Sequence, residues 1–260
     1  MPIDWKKDSQ SFDGVVELYE TYRPGYPAEL IEDVVNLSGI KPGGEILEVG
    51  SGTGKATRLF ARRGFSILCL EPGQNLIDVA KAQLSEYPQV RFERGRFEGW
   101  DARQRQFDLL ISAQAFHWVP EEVRFVKAAS VLKPPGHIAL FWNMYPGMEG
   151  AIRHELDEIY RRHAPELVKE DAPLEKLIQE RAASLENEKK FEKVIVRTYP
   201  WAERYETKAY LGLLNTYSDH LRLPEQRRQA LFEAVAELIE QHGGQVEKPY
   251  LAVLYMARRK

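Results

Sequence analysis

The stretch Ile46-Leu47-Glu48-Val49-Gly50-Ser51-Gly52-Thr53-Gly54-Lys55 decides how this chain of 260 residues is read. A short apolar run meets three glycines at every second position, and a helix-compatible segment, roughly 54–63, follows. A glycine turn between strand and helix lets the backbone approach a ligand closely and aims its amides at it. Three nucleotide-binding patterns compete. A phosphate loop of the Gly-x-x-x-x-Gly-Lys-Ser/Thr type fails twice, because Ala56 follows Gly54-Lys55 and Val49 stands where the first glycine belongs. A dinucleotide fingerprint, Gly-x-Gly-x-x-Gly, fails because its third glycine falls on Lys55, which makes a nicotinamide oxidoreductase a distant reading. What remains is Glu-x-Gly-x-Gly-x-Gly, with an acid just before the turn.

A second acid strengthens this pattern. Glu71 ends the next apolar run, 21 residues after Gly50. A carboxylate there can accept hydrogen bonds from both ribose hydroxyls of a nucleoside. Glu48, at the tip of the first run, lies where a cationic amino group could be held. The pair suits a nucleoside with a positive end and no phosphates.

Working outward, short apolar runs recur at 46–49, 65–70, 90–92, 107–111 and 137–142, with helix-compatible segments near 54–63, 74–86 and 120–132. That alternation predicts a parallel sheet with helices on both faces. Upstream, 10–22 is expected to be a short helix broken by Arg23-Pro24-Gly25-Tyr26-Pro27. Pro27 fits the first turn of a second helix bearing Leu30, Ile31, Val34 and Val35 on one face, with Gly39 as its stop. After Asn143 the alternation ends. Residues 148–186 read as helices, 191–199 as a strand, 207–220 and 224–242 as helices, and 250–256 as a last strand. We therefore expect a core over 1–146, a helical cap in two parts (147–189 and 207–243), and core strands within 190–206 and 244–260. A cap of that size suits the carboxyl edge of an open α/β sheet, where such folds bind ligands.

Composition narrows the classes. Lys and Arg number 36 against 39 Asp and Glu, for a net charge of -3. This opposes a protein held mainly by nucleic-acid phosphates. The clusters Arg161-Arg162, Lys189-Lys190 and Arg258-Arg259-Lys260 are short enough to be solvated faces. Cys69, the one cysteine, sits in an apolar run and reads as a buried strand thiol, so no disulfide framework forms. No signal core opens the chain, and no apolar stretch approaches the ~20 residues of a membrane helix, so a cytoplasmic protein is expected. The histidines at 117, 137, 154, 163, 220 and 242 form no close ligand pair and there is no Cys-x-x-Cys, so no metal is expected.

With these motifs in place, the chain resembles the class I S-adenosylmethionine-dependent methyltransferases, in the branch with the ubiquinone/menaquinone-biosynthesis and trans-aconitate enzymes. The first motif of that family matches Leu47–Gly54, and its acidic end of strand two matches Glu71. Its fourth-strand motif is similar to Phe107–Trp118, and its turn before strand five to Leu132-Lys133-Pro134-Pro135-Gly136. The opening Tyr22-Arg23-Pro24-Gly25-Tyr26-Pro27 is similar as well. The resemblance covers about 10–143 well and the rest by layout only. It implies an α/β, Rossmann-like, seven-stranded and mostly parallel sheet whose last strand is antiparallel. It also implies S-adenosylmethionine as cofactor, held by Tyr22, Arg23, Glu48, Gly50, Ser51, Gly52, Thr53, Gly54, Glu71, Pro72, Phe97, Glu98, Ser112 and Gln114. One departure is Arg96, which stands where the family often has an acid near the adenine amino group. Glu98 or the backbone at Phe97 takes over that contact.

A sulfonium methyl is already electrophilic, so the protein must chiefly align donor and nucleophile and exclude water. A base helps a phenol, enol, amine or carbon acceptor and is unnecessary for a carboxylate. His117, just after the fourth strand, is the leading base candidate, against a structural role beside Trp118. Trp118, Asn143, Tyr145, Tyr217 and His220 are further pocket candidates, each also readable as packing or capping. The expected activity is methylation of a small or carrier-bound small molecule, at oxygen or carbon rather than nitrogen. The rivals are a non-catalytic nucleoside-binding module or sensor, and methylation of RNA or protein. The acceptor and the oligomeric state are not legible.

Overall fold

The computed structural model describes residues 16–168 and 173–260. The expected helix at 10–22 begins within the described residues only at Val16, so Phe12 and Val15 lie outside them. Ten α-helices are described. They are α1 (Val16–Tyr22), α2 (Ala28–Ser38), α3 (Lys55–Ala61), α4 (Gln74–Gln83), α5 (Glu121–Val131), α6 (Ala151–His163), α7 (Leu174–Glu186), α8 (Thr207–Leu214), α9 (Ser218–Leu221) and α10 (Glu225–Gln241). The strands are β1 (Glu45–Val49), β2 (Ser66–Glu71), β3 (Val90–Arg94), β4 (Phe107–Ala113), β5 (Leu132–Met144), β6 (Ile195–Glu206) and β7 (Gln245–Arg258).

The sheet has seven strands in the order β3-β2-β1-β4-β5-β7-β6. β1 pairs in parallel with β2 and β4, β2 with β3, and β4 with β5. β7 returns antiparallel along β5, from His137 opposite Arg258 to Met144 opposite Leu251. The order reverses direction at β1, so the end of β1 is a topological switch point where a crevice opens at the carboxyl ends of the strands. β1 and β2 show continuous burial rather than alternation, as strands covered on both faces must. Leu30, Ile31 and Val34 give α2 a fully buried stripe, and Gly39 ends it in the left-handed conformation with its amide donating to Val35 O. Cys69 is buried in β2, as its apolar run requires.

The contacts divide the chain into two compact units. The sheet unit comprises Gly25–Met144, Glu175–Tyr199 and Leu251–Lys260. The smaller unit comprises the segment ending at Pro24, Tyr145–Leu174 and Pro200–Tyr250. Its core runs through Leu156, Tyr210, Leu213, Leu231, Val235 and Ile239. α10 packs into this core through Leu231, Val235, Leu238 and Ile239, and Phe232 lies at its margin. This division differs from the expected boundaries, since Glu175–Glu186 of α7 goes with the sheet. There Arg181 lies 4.5 Å over the Trp142 ring and Arg124 donates to Ser184 Oγ at 2.8 Å.

The expected strand at 191–199 is displaced. β6 starts at Ile195 and runs through Pro200 to Glu206, while Phe191 makes only an isolated bridge to Arg259. Pro200 lies just past the end of the expected strand, but β6 is the last strand of the sheet, and an edge strand tolerates a residue that cannot donate to the ladder.

Candidate functional site

The glycine turn leaves β1 by a backbone path closed to most residues. Gly50, Gly52 and Gly54 have φ of 73°, 55° and 86°, in the left-handed region. The Gly50 amide donates to Leu70 O at 2.8 Å, which ties the turn to β2. A Cβ at Gly50 would stand 2.4 Å from the Ala115 Cβ, so the segment after β4 packs directly on the turn. At Gly52 a Cβ would meet nothing within 4 Å. One face of the turn is therefore open where the other is closed.

Glu71 straddles that open side. Its Oε2 accepts from the Gly52 amide and its Oε1 from the Gly73 amide, both at 2.9 Å. Ser112, fully buried, donates to Val49 O at 2.7 Å and joins β4 to the tip of β1. Gln114 holds a left-handed φ of 60°, rare for a residue with a side chain. Its amide donates to Phe141 O, and its Nε2 donates to Asn143 O at 3.4 Å. Asn143 in turn donates to Gly25 O at 2.8 Å. Pro72 offers its carbonyl to Arg94. Phe97 is buried against Phe116, and the Glu98 carbonyl accepts from Lys127.

Glu48 lies deeper than its place in the motif suggests. The residue is fully buried, with Oε2 accepting from Thr57 Oγ1 at 2.6 Å and Oε1 without a hydrogen-bond partner. Burial pushes its pKa up to about 8, the Thr57 hydrogen bond opposes the rise, and the negative Glu71 adds to it. Ser51 Oγ and Thr53 Oγ1 are two further buried atoms without a partner at the turn. Open glycine face, unpartnered acceptors and a two-oxygen carboxylate fit a nucleoside with a cationic end. Three of the turn's amides, those of Gly50, Gly52 and Gly54, already donate to Leu70 O, Glu71 Oε2 and Ser51 O.

The raised Glu48 pKa makes a pH prediction. A carboxyl whose native pKa lies above its ordinary 4.5 contributes stability that is full below that value and lost as pH rises through about 8. Glu48→Gln is expected to match the wild-type melting temperature near pH 4.5 and exceed it at pH 8. Equal melting curves at both pH values would refute the assignment.

His117 and Trp118 fall in a single 3-10 turn, Phe116–Trp118, after β4. The Trp142 indole N–H donates to His117 Nδ1 at 3.3 Å. With Nδ1 accepting, the neutral ring carries its proton on Nε2. Burial of the ring, then the charges of Arg181 and Arg124, push the pKa down to about 4. The residue as a whole keeps an exposed side, and solvent there limits the depression. Both contacts work against the proton-accepting role expected for His117, because the one free lone pair is already used.

The remaining candidates belong to the smaller unit. The Tyr22 ring fills the space above Gly212, where a Cβ would come within 2.2 Å of it. Arg23 donates to Thr216 Oγ1 and O at 2.7 and 2.8 Å and stacks 4.4 Å over Tyr217. Both side chains are engaged inside their own unit. Tyr145 is exposed on one side and Tyr217 is partly buried against the core of the smaller unit. His220 Nδ1–H donates to Asp219 Oδ1 at 2.8 Å and its Nε2 accepts from the Tyr160 hydroxyl at 2.7 Å.

Sequence reasoning missed Lys248, which is buried with its Nζ 3.3 Å over the Tyr145 ring. The signal was parity, since Lys248 shares its strand face with the buried Val246 and Tyr250. Burial, then the nearby Arg23 charge, push its pKa down to about 7. A lysine whose native pKa is depressed has its full stability only above its ordinary 10.5 and loses it as pH falls through about 7. Lys248→Met is expected to raise the melting temperature at pH 6 and to do so less at pH 10. A variant less stable than wild type at pH 6 would mean that the cation–π contact outweighs the burial cost.

Among the described residues, no group of three or more His, Cys, Asp or Glu is arranged to hold a metal ion, and no helix is long and apolar enough to cross a membrane.

Comparison with known proteins now adds to this geometry. Residues 46–136 match the family model of a methyltransferase domain. An uncharacterised methyltransferase of Mycobacterium tuberculosis is 28% identical over 248 residues, spanning 95% of this chain and 93% of that one. Among solved structures, a putative type II methyltransferase from Anaeromyxobacter dehalogenans superposes with a TM-score of 0.61 at 22% identity, over 92% of this chain and 97% of that one. A Thiobacillus denitrificans S-adenosylmethionine-dependent methyltransferase, solved with S-adenosyl-L-homocysteine, has a TM-score of 0.55 at 13% identity, over 95% and 97%.

Proposed function

We propose that this chain, a class I S-adenosylmethionine-dependent methyltransferase, holds its donor on the Glu48–Gly54 turn and Glu71 and methylates oxygen or carbon of a small-molecule acceptor. The observation that carries the binding half is Glu71 bonded to the Gly52 amide beside the open glycine face. Each Glu71 oxygen accepts from a backbone amide, and a carboxylate oxygen can accept more than one hydrogen bond, which suits the two hydroxyls of a ribose. Gly52 leaves the room for that ribose. S-adenosylmethionine, when bound, supplies a methyl made electrophilic by the sulfonium charge. What the chain must add is alignment and exclusion of water.

On the acceptor side, His117, Trp118 and Asn143 are the proposed contacts of the sheet unit. A neutral His117 whose Nδ1 is occupied serves better as a hydrogen-bond donor through Nε2 than as a base. That favours acceptors whose nucleophile is already ionised, or acidic enough to lose its proton unaided. The negative net charge supports a small molecule over a nucleic acid. His117→Asn is expected to lower turnover by less than the ~10²–10⁴-fold that loss of a general base costs. The rate profile should show no limb near pH 6.5 in either protein. A hundredfold loss with such a limb in the wild type would restore the base assignment.

The functional test is an acceptor screen with methyl-labelled S-adenosylmethionine against fractionated cell metabolites. Label in a small-molecule fraction, with S-adenosylhomocysteine released in equal amount, is the expected result. Label in RNA or protein would overturn the acceptor class. Donor binding by calorimetry without turnover in any fraction would favour a nucleoside sensor, and binding of NAD instead would overturn the donor site.

A further inference from the structure

A cavity of about 60 Å³ lies inside the sheet unit, where the Phe116–Trp118 turn, α5, α7, β5 and β7 meet. Its walls are apolar at Phe116, Phe125 and Leu140. Three of its other lining residues carry a buried polar atom with no hydrogen-bond partner: Arg124 Nε, Arg181 Nη1 and Tyr255 Oη. Buried donors are paired as a rule, and an unpaired one costs the full desolvation of the group. Three such donors around one small space point to something that fills it.

The charge of the space says what. Arg181 stacks on Trp142 and has no carboxylate partner among the described residues. Arg124 spends Nη2 on Ser184 Oγ and on Glu121 Oε1, but the Glu121 side chain is 80% exposed and its charge is screened by water. The Tyr255 residue is 1% exposed, and its phenol, with a pKa raised to about 12 by burial, stays a neutral donor. His117 brings no charge either, because burial of its ring, then the charges of Arg181 and Arg124, hold it in the neutral form. Two guanidinium groups therefore face the cavity, and no carboxylate is among the residues that line it. Water would satisfy the three donors but leave the part-buried Arg181 without a counter-charge and Arg124 with only its exposed Glu121 partner, and a charge withdrawn from water is held best when paired.

We propose that this cavity is a binding site for a carboxylate group, held by Arg124 Nε, Arg181 Nη1 and Tyr255 Oη, with its carbon end against the apolar wall. Donors of this kind match the two oxygens of a planar carboxylate, for which the guanidinium fork is suited. The apolar wall disfavours a tetrahedral phosphate, which needs polar partners on every side. The carboxylate arrives either as a small free acid or as the end of a longer molecule. No donor-binding residue lines the site, but His117, a proposed acceptor contact, does, so the test reads carboxylate binding rather than methyl transfer.

The test is ¹⁵N–¹H spectroscopy of the arginine side chains in the full chain, titrated with sodium acetate or sodium hexanoate against sodium chloride at matched ionic strength. Saturable shifts of the Arg124 and Arg181 signals with a carboxylate, and none with chloride, are expected. Arg181→Gln should weaken acetate binding roughly tenfold or more, as loss of a charge-assisted pair does. Tyr255→Phe keeps the volume and removes one donor. It should weaken binding by roughly threefold to tenfold while leaving the melting temperature without carboxylate unchanged or higher. Acetate binding without hexanoate binding identifies a small free acid as the source, and hexanoate binding as tightly or more tightly identifies the end of a longer molecule. The proposal falls if neither carboxylate gives a saturable shift, if chloride gives the same shift, or if both variants bind acetate as the wild type does.

Discussion

Glu71→Ala is expected to weaken S-adenosylmethionine binding at least tenfold, and toward a hundredfold or more. Each hydrogen bond from a ribose hydroxyl to a charged carboxylate contributes ~1.5–3 kcal/mol, and two are lost. The mutation also releases the amides of Gly52 and Gly73, which the carboxylate now holds at 2.9 Å each. The turn that shapes the site therefore loosens together with the contact it makes. Titration calorimetry measures the effect directly. Glu71→Gln, which keeps one carbonyl oxygen and loses the charge, should fall between wild type and alanine. Unchanged affinity in Glu71→Ala would remove the ribose assignment, whatever the fate of activity.

Gly50→Ala should strongly destabilise the chain. The new Cβ would meet the Ala115 Cβ at 2.4 Å and would force an L side chain into a φ of 73°. The left-handed backbone costs ~1–2 kcal/mol and the overlap a further ~1–3 kcal/mol. For a chain of this size, that corresponds to a fall in melting temperature of roughly 5–15 °C. The same substitution at Gly52 pays only the backbone cost, because no atom lies within 4 Å of the new methyl. Gly52→Ala should thus stay folded and lose donor affinity instead. Calorimetric melting and binding on the two variants separate the closed side of the turn from the open one. Equal melting temperatures would contradict the packing of Ala115 on Gly50.

The order of elements from β1 to β5 was legible in the chain because its signals are local. Short apolar runs bounded by glycine and proline, and helical stripes such as Leu30, Ile31 and Val34, depend on neighbours within a few residues. The glycine turn was legible for the same reason, since a positive φ at Gly50, Gly52 and Gly54 is a property of each residue and its two peptides. Glu71 could be placed because β2 follows at the short spacing of a strand–helix–strand unit, and its register against β1 brings it level with the turn.

What only the tertiary structure decided are contacts whose partners lie far apart in the chain. Pro200 sits inside β6 because that strand lies at the sheet edge, and no local pattern states which strand is outermost. Glu48 turned Oε2 inward to Thr57 and left Oε1 unpartnered, which makes it a buried acid with a raised pKa. His117 lost the free lone pair that a base needs to Trp142, 25 residues on. Lys248, the Tyr160–His220 pair and the cavity shared by Arg124, Arg181 and Tyr255 each join residues from separate elements. Hydrophobic periodicity states which face of an element is buried but not which polar side chain it meets there. Hydrogen bonding and charge are settled at distances of a few ångströms, and those distances exist only once the elements have packed.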